Sequence, residues 1–247
     1  TFSDKAQQEL ETITNAEERI LKLEAKQEKL LTKLAVQGWK LFEKRQASAN
    51  LLAESIETEL EDLRMSGARF RVAFERRPDP EGVQLPNGER VAFDVNGFER
   101  VEFMVETNPG EGLKPLVKIA SGGETARLML ALKNVLASAD HIPTLIFDEI
   151  DQGIGGRVGS VVGKKLWQLT NQHQVLCITH LPQLAAYGQQ HFQVQKHIED
   201  GRTITNVVQI DGEARLNELA QMLGEVSMGT LKSAQEILQF ASQTTSI

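Results

Sequence analysis

The stretch that decides the fold is LIFDEID, residues 145–151. Its apolar start is typical of a strand in a parallel sheet, and two acids, Asp148 and Glu149, follow at once. Ligands of open α/β sheets bind at the carboxyl ends of the strands, where these acids fall. Asp148 is suited to hold Mg²⁺ there, and Glu149 to orient or deprotonate a water that attacks a phosphoryl group. A solvated acidic strand end is the alternative that this stretch leaves open.

A glycine pair opens a predicted helix upstream, in KIASGGE, residues 118–124. Gly122 and Gly123 leave backbone N–H groups unobstructed at the helix start, and Ser121 is a suitable N-cap. Together they make an anion site, because N–H groups and the helix dipole point at the ligand. A purely structural capping box, with Ser121 capping and Glu124 reaching back, is the alternative.

A histidine follows a second apolar strand, QVLCIT, residues 174–179. His180 at the end of that strand is suited to donate a hydrogen bond to a terminal phosphate. A structural histidine at a strand end is the alternative. His191 and His197 have no other potential metal ligands at a suitable spacing in the sequence, so we expect no zinc site.

The loop that normally cradles phosphates is missing from the sequence. That loop needs G-x-x-x-x-G-K-[ST]. In GSVVGKK, residues 159–165, the glycines are one residue too close and Lys165 stands where Ser or Thr is required. The stretch also lies in a predicted helix, and GIGGRVG fails the dinucleotide pattern because Val158 occupies its third glycine position. The chain therefore carries phosphate-directed motifs without a phosphate loop.

Residues 1–65 predict one long helix or two, with one glycine, Gly38, near a possible break, and no proline. A narrow apolar stripe at heptad spacing is typical of a coiled coil and must be buried against a partner helix. The chain has no second helix of matching length, so we expect the partner to come from elsewhere; an ordinary bundle helix is the alternative. The stripe comprises Ile13, Ala16, Ile20, Leu23, Leu30, Leu34 and Leu41.

Apolar residues recur with period two over residues 68–106, which predicts an antiparallel meander with a loop from Pro78 to Gly88 and a hairpin at Asn96-Gly97. Strands and helices alternate after that, which predicts a parallel sheet covered by helices. The predicted fold class is therefore α/β, with antiparallel strands and a parallel sheet. We expect two domains, a coiled-coil arm over residues 1–65 and a globular lobe over residues 66–247.

The composition of the chain argues against several classes of protein. The 247 residues carry a net charge of −7, which argues against a uniformly basic nucleic-acid binder. No stretch approaches the ~20 apolar residues of a membrane helix. The single cysteine, Cys177, excludes an internal disulfide framework, so we expect a cytoplasmic setting. Local basic character remains in Arg64, Arg69, Arg71, Arg76 and Arg77, which either contact DNA phosphates or form a solvated strand face.

The order of glycine-tipped helix, acid-ended strand and histidine-ended strand resembles the head of ABC-type ATPases, with signature motif, Walker B strand, D-loop and switch histidine. Longer stretches resemble the C-terminal half of the RecN family of bacterial DNA repair proteins, which are SMC-like coiled-coil ATPases. The likeness covers roughly residues 66–247, and the family also predicts the preceding coiled coil. One departure is Thr125-Ala126, where the family usually has Leu-Ser. The stretches are 116–133, 146–156, 177–192 and 215–224.

The resemblance implies an ABC-type C-terminal lobe that hydrolyses ATP with Mg²⁺ in recombinational repair of DNA double-strand breaks. Two heads would sandwich ATP, and the signature of one head, Ser121, Gly122, Gly123 and Glu124, would meet the γ-phosphate held by the other. Asp148 would support Mg²⁺ through water. Glu149 and His180 would be catalytic, and Asp151, at the D-loop position, would communicate across the dimer.

The resemblance also implies partners. They are an N-terminal half with the missing Walker A loop and the partner helix, a second head, and DNA. The active site would then be incomplete in this chain, in a cytoplasmic, nucleoid-associated protein without a membrane partner. Two alternatives stay open: the ATP-binding subunit of an ABC transporter, and a non-catalytic coiled-coil scaffold.

Overall fold

The computed structural model describes residues 2–119, 122–199 and 202–245, without the side chains of residues 2–4 and 6–13. Ser121 and the side chain of Ile13 therefore lie outside the described part. The chain divides into two compact units, Thr1–Leu51 with Arg71–Met104, and Leu52–Phe70 with Val105–Ile247. The predicted domain boundary after residue 65 stays a prediction.

Helix α1 runs from Phe2 to Asp62 without interruption. Gly38 does not break it. A Cβ at this position would lie 2.5 Å from the Phe98 ring, so the glycine makes room for that ring. The side chains that follow one face of α1, Leu31, Ala35, Trp39 and Phe42, pack on a core of Val83, Leu85, Val91 and Phe98.

The predicted heptad stripe of α1 is open to solvent. Its described leucine and isoleucine side chains are 38–55% exposed: Ile20, Leu23, Leu30, Leu34 and Leu41. This stripe lies on a different face from the residues that pack on the Phe98 core. No hydrophobic core cluster of the described residues includes these leucine and isoleucine side chains.

The strands after α1 are β1 (Arg69–Glu75), β2 (Pro78–Gln84), β3 (Arg90–Val91), β4 (Arg100–Glu106) and β5 (Lys114–Pro115). They form a sheet of order β1-β4-β5 and a separate antiparallel pair, β2-β3. The predicted meander and the predicted loop at Pro78–Gly88 are therefore wrong. Prolines are tolerated at edges and bulges of sheets, and the β2-β3 register shifts between Pro78 and Val83.

The remaining elements follow the predicted alternation of helices and strands as far as residue 199, after which a strand and two helices follow. They are α2 (Gly122–Leu136), β6 (Thr144–Phe147), α3 (Gly156–Leu169), β7 (Gln174–Cys177), α4 (Pro182–Ala185), β8 (His191–Glu199), β9 (Arg202–Ile210), α5 (Gly212–Met222) and α6 (Met228–Thr245). Strands β6 and β7 are parallel and in register from Thr144↔Gln174 to Phe147↔Cys177, and β8 and β9 form an antiparallel hairpin. The predicted α/β class is confirmed.

The parallel pair β6-β7 is covered on one face only. Leu145 and Phe147 are each 7% exposed, whereas Ile146 is 70% exposed. Leu176 and Ile178 are 47% and 60% exposed. The continuous apolar run of the sequence therefore hides an alternation of buried and exposed side chains. Parallel sheets normally have both faces covered, so this face has the character of a docking surface.

No described helix is long and apolar enough to cross a membrane.

Candidate functional site

The carboxyl ends of β6 and β7 bring two predicted motifs together. The stretch Asp148–Asp151 follows β6, and His180 follows β7. Because the two strands are parallel neighbours, both motifs lie at the same edge. The Nδ1 atom of His180 lies 3.0 Å from Oδ2 of Asp151. The acid and the histidine that the sequence put 29 residues apart are thus in direct contact.

Asp151 is the buried centre of this edge, with 3% of its surface exposed. Its Oδ2 atom accepts hydrogen bonds from the Thr179 hydroxyl and from the backbone N–H of His180, the latter at 2.8 Å. The Thr179 hydroxyl oxygen in turn accepts a hydrogen bond from the backbone N–H of Leu181 at 3.0 Å. The His180 side chain is 72% exposed, so its ring is held at one end and open at the other.

Asp148 and Glu149 are both exposed at the end of β6. Glu149 has φ of 56°, in the left-handed region that residues with a side chain rarely adopt. Non-glycine residues in this conformation cost free energy and cluster at functional sites. The Glu149 carboxylate points to the start of α2, because a Cβ on Gly122 would lie 3.1 Å from its Oε2 atom.

The first turn of α2 lies directly against the loop that follows β6. A Cβ at Gly123 would be 2.9 Å from the carbonyl oxygen of Gln152, so a side chain there would clash with backbone. Arg127, one turn later, donates from Nη1 to the same carbonyl at 3.1 Å. Burial lowers the pKa of the Arg127 guanidinium, with the nearby charge of Glu124 opposing. The predicted signature and D-loop are therefore packed together within one chain.

Sequence reasoning missed three members of this site: Arg127, Gln152 and Thr179. Arg127 carries the one available signal, because it follows Gly123 at i+4 and so lies on the same face of the helix. Glu124 is half-buried in the first turn of α2. The anion site predicted at the helix start stays a prediction, since Ser121 lies outside the described residues.

The glycines of the rejected phosphate loop lie inside α3, as predicted. A Cβ at Gly163 would be 2.5 Å from the Tyr187 ring, and a Cβ at Gly159 would be 3.1 Å from Leu181. One at Gly156 would be 2.6 Å from the Gln183 amide. These glycines let α4 approach α3 closely. Since α4 begins at Pro182, this packing fixes the segment that carries His180.

The strand ends carry concentrated negative charge. Burial first, and then the charges of Asp151 and Asp148, raise the pKa of the Cys177 thiol to about 12. The described residues contain no group of three or more His, Cys, Asp or Glu side chains that could hold a metal ion. His197 lies on β8 with its Nε2 atom 3.8 Å from Glu199.

The predicted arginine cluster is not uniformly available for DNA. The guanidinium of Arg76 lies 4.4 Å from the centre of the Phe42 ring and also over Phe98 and Trp39, at 5.4 and 5.5 Å. This arrangement is a cation–π cluster that stabilises the first unit. Arg77 is exposed.

Curated DNA repair proteins are similar to this chain over nearly its whole length. RecN of Bacillus subtilis is 35% identical over 246 residues, which is 98% of this chain and 43% of that protein. RecN of Treponema pallidum is 40% identical over 240 residues, 96% of this chain and 41% of that protein. RecN of Xylella fastidiosa is 38% identical over 223 residues, 90% of this chain and 38% of that protein. The chain thus spans about two fifths of the length of these relatives, in their C-terminal portion.

Solved structures with a similar backbone include the Smc head domain with coiled coil and joint from Pyrococcus yayanosii. It has a TM-score of 0.48 and 21% identity, covering 72% of this chain and 30% of that one. The Smc head domain of Pyrococcus furiosus with an extended coiled coil has a TM-score of 0.45 and 19% identity, covering 81% of this chain and 39% of that one. No family model matches the chain.

Proposed function

Because this chain belongs with the C-terminal portion of the RecN DNA repair proteins, we propose that it is the C-terminal lobe and returning arm of an SMC-like ATPase. In this proposal it acts in recombinational repair of DNA double-strand breaks. ATP-dependent dimerisation of two heads through the signature motif is coupled to engagement of DNA. ATP is the substrate and Mg²⁺ the metal.

One observation carries the proposal: three motifs distant in sequence meet at one edge. Asp151 contacts His180 at the ends of β6 and β7, and Glu149 Oε2 lies beside Gly122 at the start of α2. The parallel pairing of β6 and β7 brings an acidic strand end and a histidine to one edge, but it does not require Asp151 to contact His180 or Glu149 to approach the start of α2. These contacts are expected of an edge that binds phosphate.

The donor set of this edge fits a shared Mg²⁺. This ion is commonly bound by one or two carboxylates together with phosphate oxygens and water. Asp148, exposed at the end of β6, supplies the one carboxylate. When bound, the ion would neutralise charge that develops on the phosphate oxygens.

Side chains of this chain would carry out the other steps of hydrolysis. Glu149 orients a water and accepts its proton, and His180 donates a hydrogen bond to the terminal phosphate of ATP. Gly122, Gly123 and Glu124, with Ser121, form the signature that meets the nucleotide of the second head. A role of Asp151 across the dimer interface remains part of the proposal.

Two exposed apolar surfaces support a partner that carries the phosphate loop. One is the heptad stripe of α1, and the other is the open face of β6-β7 with Ile146, Leu176 and Ile178. A heptad stripe packs on a partner helix, and a parallel sheet is normally covered on both faces. An N-terminal half with a helix and a Walker A lobe would bury both surfaces. DNA would be contacted through exposed basic residues such as Arg77.

Mixing the chain with the portion of Bacillus subtilis RecN that it does not match tests the proposal. We expect little ATP hydrolysis by the chain alone and Mg²⁺-dependent hydrolysis by the mixture. Glu149→Gln should abolish turnover in the mixture and prolong ATP-dependent head dimers, whereas a scaffold would be indifferent to this change. Robust hydrolysis by the chain alone would refute the proposal.

A further inference from the structure

We propose that Asp151 is a positioning residue that acts within its own chain, holding His180 so that its Nε2 atom is the one presented to the phosphate. The inference rests on the proposed function of the same edge and deepens it. It differs from a role for Asp151 across a dimer interface, because every group involved belongs to one lobe. The juxtaposition of a buried carboxylate and an exposed imidazole carries it.

The carboxylate is placed for this task. Asp151 is 3% exposed, and one of its oxygens, Oδ2, receives the Thr179 hydroxyl and the backbone N–H of His180. These two bonds hold Oδ2 beside the backbone of Thr179 and His180. Nδ1 of the His180 ring then lies 3.0 Å from the same oxygen. The acid therefore sets the backbone and the ring of His180 together.

This contact decides which ring nitrogen carries the proton. In a neutral imidazole one nitrogen donates and the other accepts. A carboxylate oxygen 3.0 Å from Nδ1 repels a lone pair on that nitrogen and attracts a proton there, so the contact favours the tautomer with the proton on Nδ1. Nε2 is then the free nitrogen on a side chain that is 72% exposed. When the ring is charged, both nitrogens carry a proton. Nε2–H then donates to the phosphate, while Nδ1–H remains next to the Asp151 carboxylate.

The scaffold around this pair is closely packed. Asp151 begins the segment that leads into α3, and His180 leads into α4. Gly163 and Gly159 bring those two helices into contact through the Tyr187 ring and Leu181. Both members of the pair are thus held by packed elements, which is what a positioning contact needs.

Nitrogen NMR on the ¹⁵N-histidine-labelled chain tests the inference directly. The His180 signals are identified by their loss in His180→Gln, and the neutral ring is observed at alkaline pH. We expect the Nδ1–H form of His180 to predominate about five-fold or more, because the charge of a carboxylate 3.0 Å away favours a proton on the nearer nitrogen even when solvent screens it. A predominant Nε2–H form in the unchanged chain would overturn the inference, whatever any variant does.

Variants separate positioning from mere proximity. Asp151→Ala should shift His180 to a mixture of the two forms, and Asp151→Asn, which keeps an acceptor oxygen, should restore the Nδ1–H form in part. Asp148→Asn removes a charge from the same loop and should leave the His180 signals in the Nδ1–H form. An unchanged tautomer in a folded Asp151→Ala chain would refute the positioning role.

Activity gives a second, independent readout. In the mixture with the complementary RecN portion, Asp151→Ala should lower kcat by about ten-fold or more while KM for ATP changes little, since the loss of one preorganised hydrogen-bond donor to transition-state charge costs about 10²–10³-fold. If the mixture shows no ATPase activity at all, the proposed function fails. The NMR result on the chain still decides the positioning role by itself.

Discussion

The Nζ atom of Lys165 lies 2.8 Å from Oε2 of Glu59, although 106 residues separate them in sequence. Asp62 approaches the same Nζ at 2.8 Å. Lys165 is in the middle of α3, and the two acids are in the last turns of α1, which has no basic residue there. A cation near a helix C-terminus is favourable, so Lys165 supplies to α1 the charge that its own sequence lacks.

Lys165→Met should lower the free energy of unfolding of the chain by about 2 kcal/mol. Breaking a buried ion pair costs about 3–5 kcal/mol, but the Asp62 side chain is 58% exposed and water replaces part of the lost interaction. Urea denaturation measures the change. Lys164→Ala, at the exposed neighbouring position, is the control and should change stability by less than about 0.5 kcal/mol. Equal effects of the two substitutions would contradict the role of the ion cluster.

The same cluster gives a pH dependence at alkaline pH. Burial on its own would lower the pKa of Lys165, but the hydrogen bonds and charges of Asp62 and Glu59 outweigh it and raise the pKa. The stabilisation is therefore fully present below the unfolded value of about 10.4 and is lost as pH rises through the folded value. The stability gap between the unchanged chain and Lys165→Met should be constant from pH 7 to about 10 and shrink above that.

Gly163→Ala should destabilise the chain by about 1–2 kcal/mol. The added methyl would meet the ring of Tyr187, which is 7% exposed and has little room to move. Overpacking of this kind costs about 1–3 kcal/mol, from which a gain in helix propensity of up to about 1 kcal/mol is subtracted. Thermal or urea unfolding measures it.

The control for Gly163→Ala is Gly229→Ala near the start of α6. The nearest atom to a Cβ there is the Ser227 hydroxyl oxygen at 3.7 Å, an ordinary contact. We expect this substitution to be neutral or to stabilise the chain by up to about 1 kcal/mol. A Gly163→Ala chain that is as stable as the Gly229→Ala chain would show that α4 can move away from α3.

Much of this architecture could be predicted from the sequence because local patterns determine it. Helix α2 lies where the apolar positions from Ala126 to Leu136 predict it, and β6 and β7 coincide with the two apolar runs. Their parallel pairing follows from the intervening α3. The shared edge of Asp148, Asp151 and His180 was predictable for the same reason, because parallel strands end together.

Other features could not be predicted, because they depend on contacts between residues far apart in the sequence or on a geometry that the local sequence pattern does not determine. Strand β2 carries two prolines and reads as a loop, because only its two-residue partner β3 defines it as a strand. The exposed position of Ile146 is hidden in an unbroken apolar run. The residues Lys165 and Gly163 resemble remnants of a phosphate loop, and only the packed structure reveals their contacts with Glu59 and Tyr187.

Glu106→Gln should make the stability of the chain less dependent on pH between about pH 5 and 3. The backbone N–H groups of Gly112 and Gly110 bind the Glu106 carboxylate at 3.1 and 2.8 Å and hold its pKa below the ordinary value. A depressed carboxyl pKa contributes stability above the unfolded value of about 4.3 and loses it as pH falls through the folded value.

Urea midpoints of the unchanged chain and of Glu106→Gln, compared from pH 7 to 3, measure this contribution. The two curves should differ at neutral pH and converge in acid. Glu236→Gln, at an exposed position of α6, is the control and should run parallel to the unchanged chain. If the urea midpoints of Glu106→Gln and the unchanged chain differ by the same amount at every pH, the substitution acts through altered packing and not through the lost charge.

Cys177 should be almost unreactive in the folded chain, and as the single cysteine it reports on the strand ends alone. Its thiol has a pKa of about 12, raised by burial first and then by Asp151 and Asp148. At pH 8 an ordinary thiol with a pKa near 8.5 is about one quarter thiolate, so alkylation by iodoacetamide should be at least about 100-fold slower in the native chain than in urea. Asp148→Asn should accelerate it only slightly, because burial is the larger cause. Native labelling at the rate of the unfolded chain would mean that the end of β7 opens readily, and the contact between Asp151 and His180 would then be broken for much of the time.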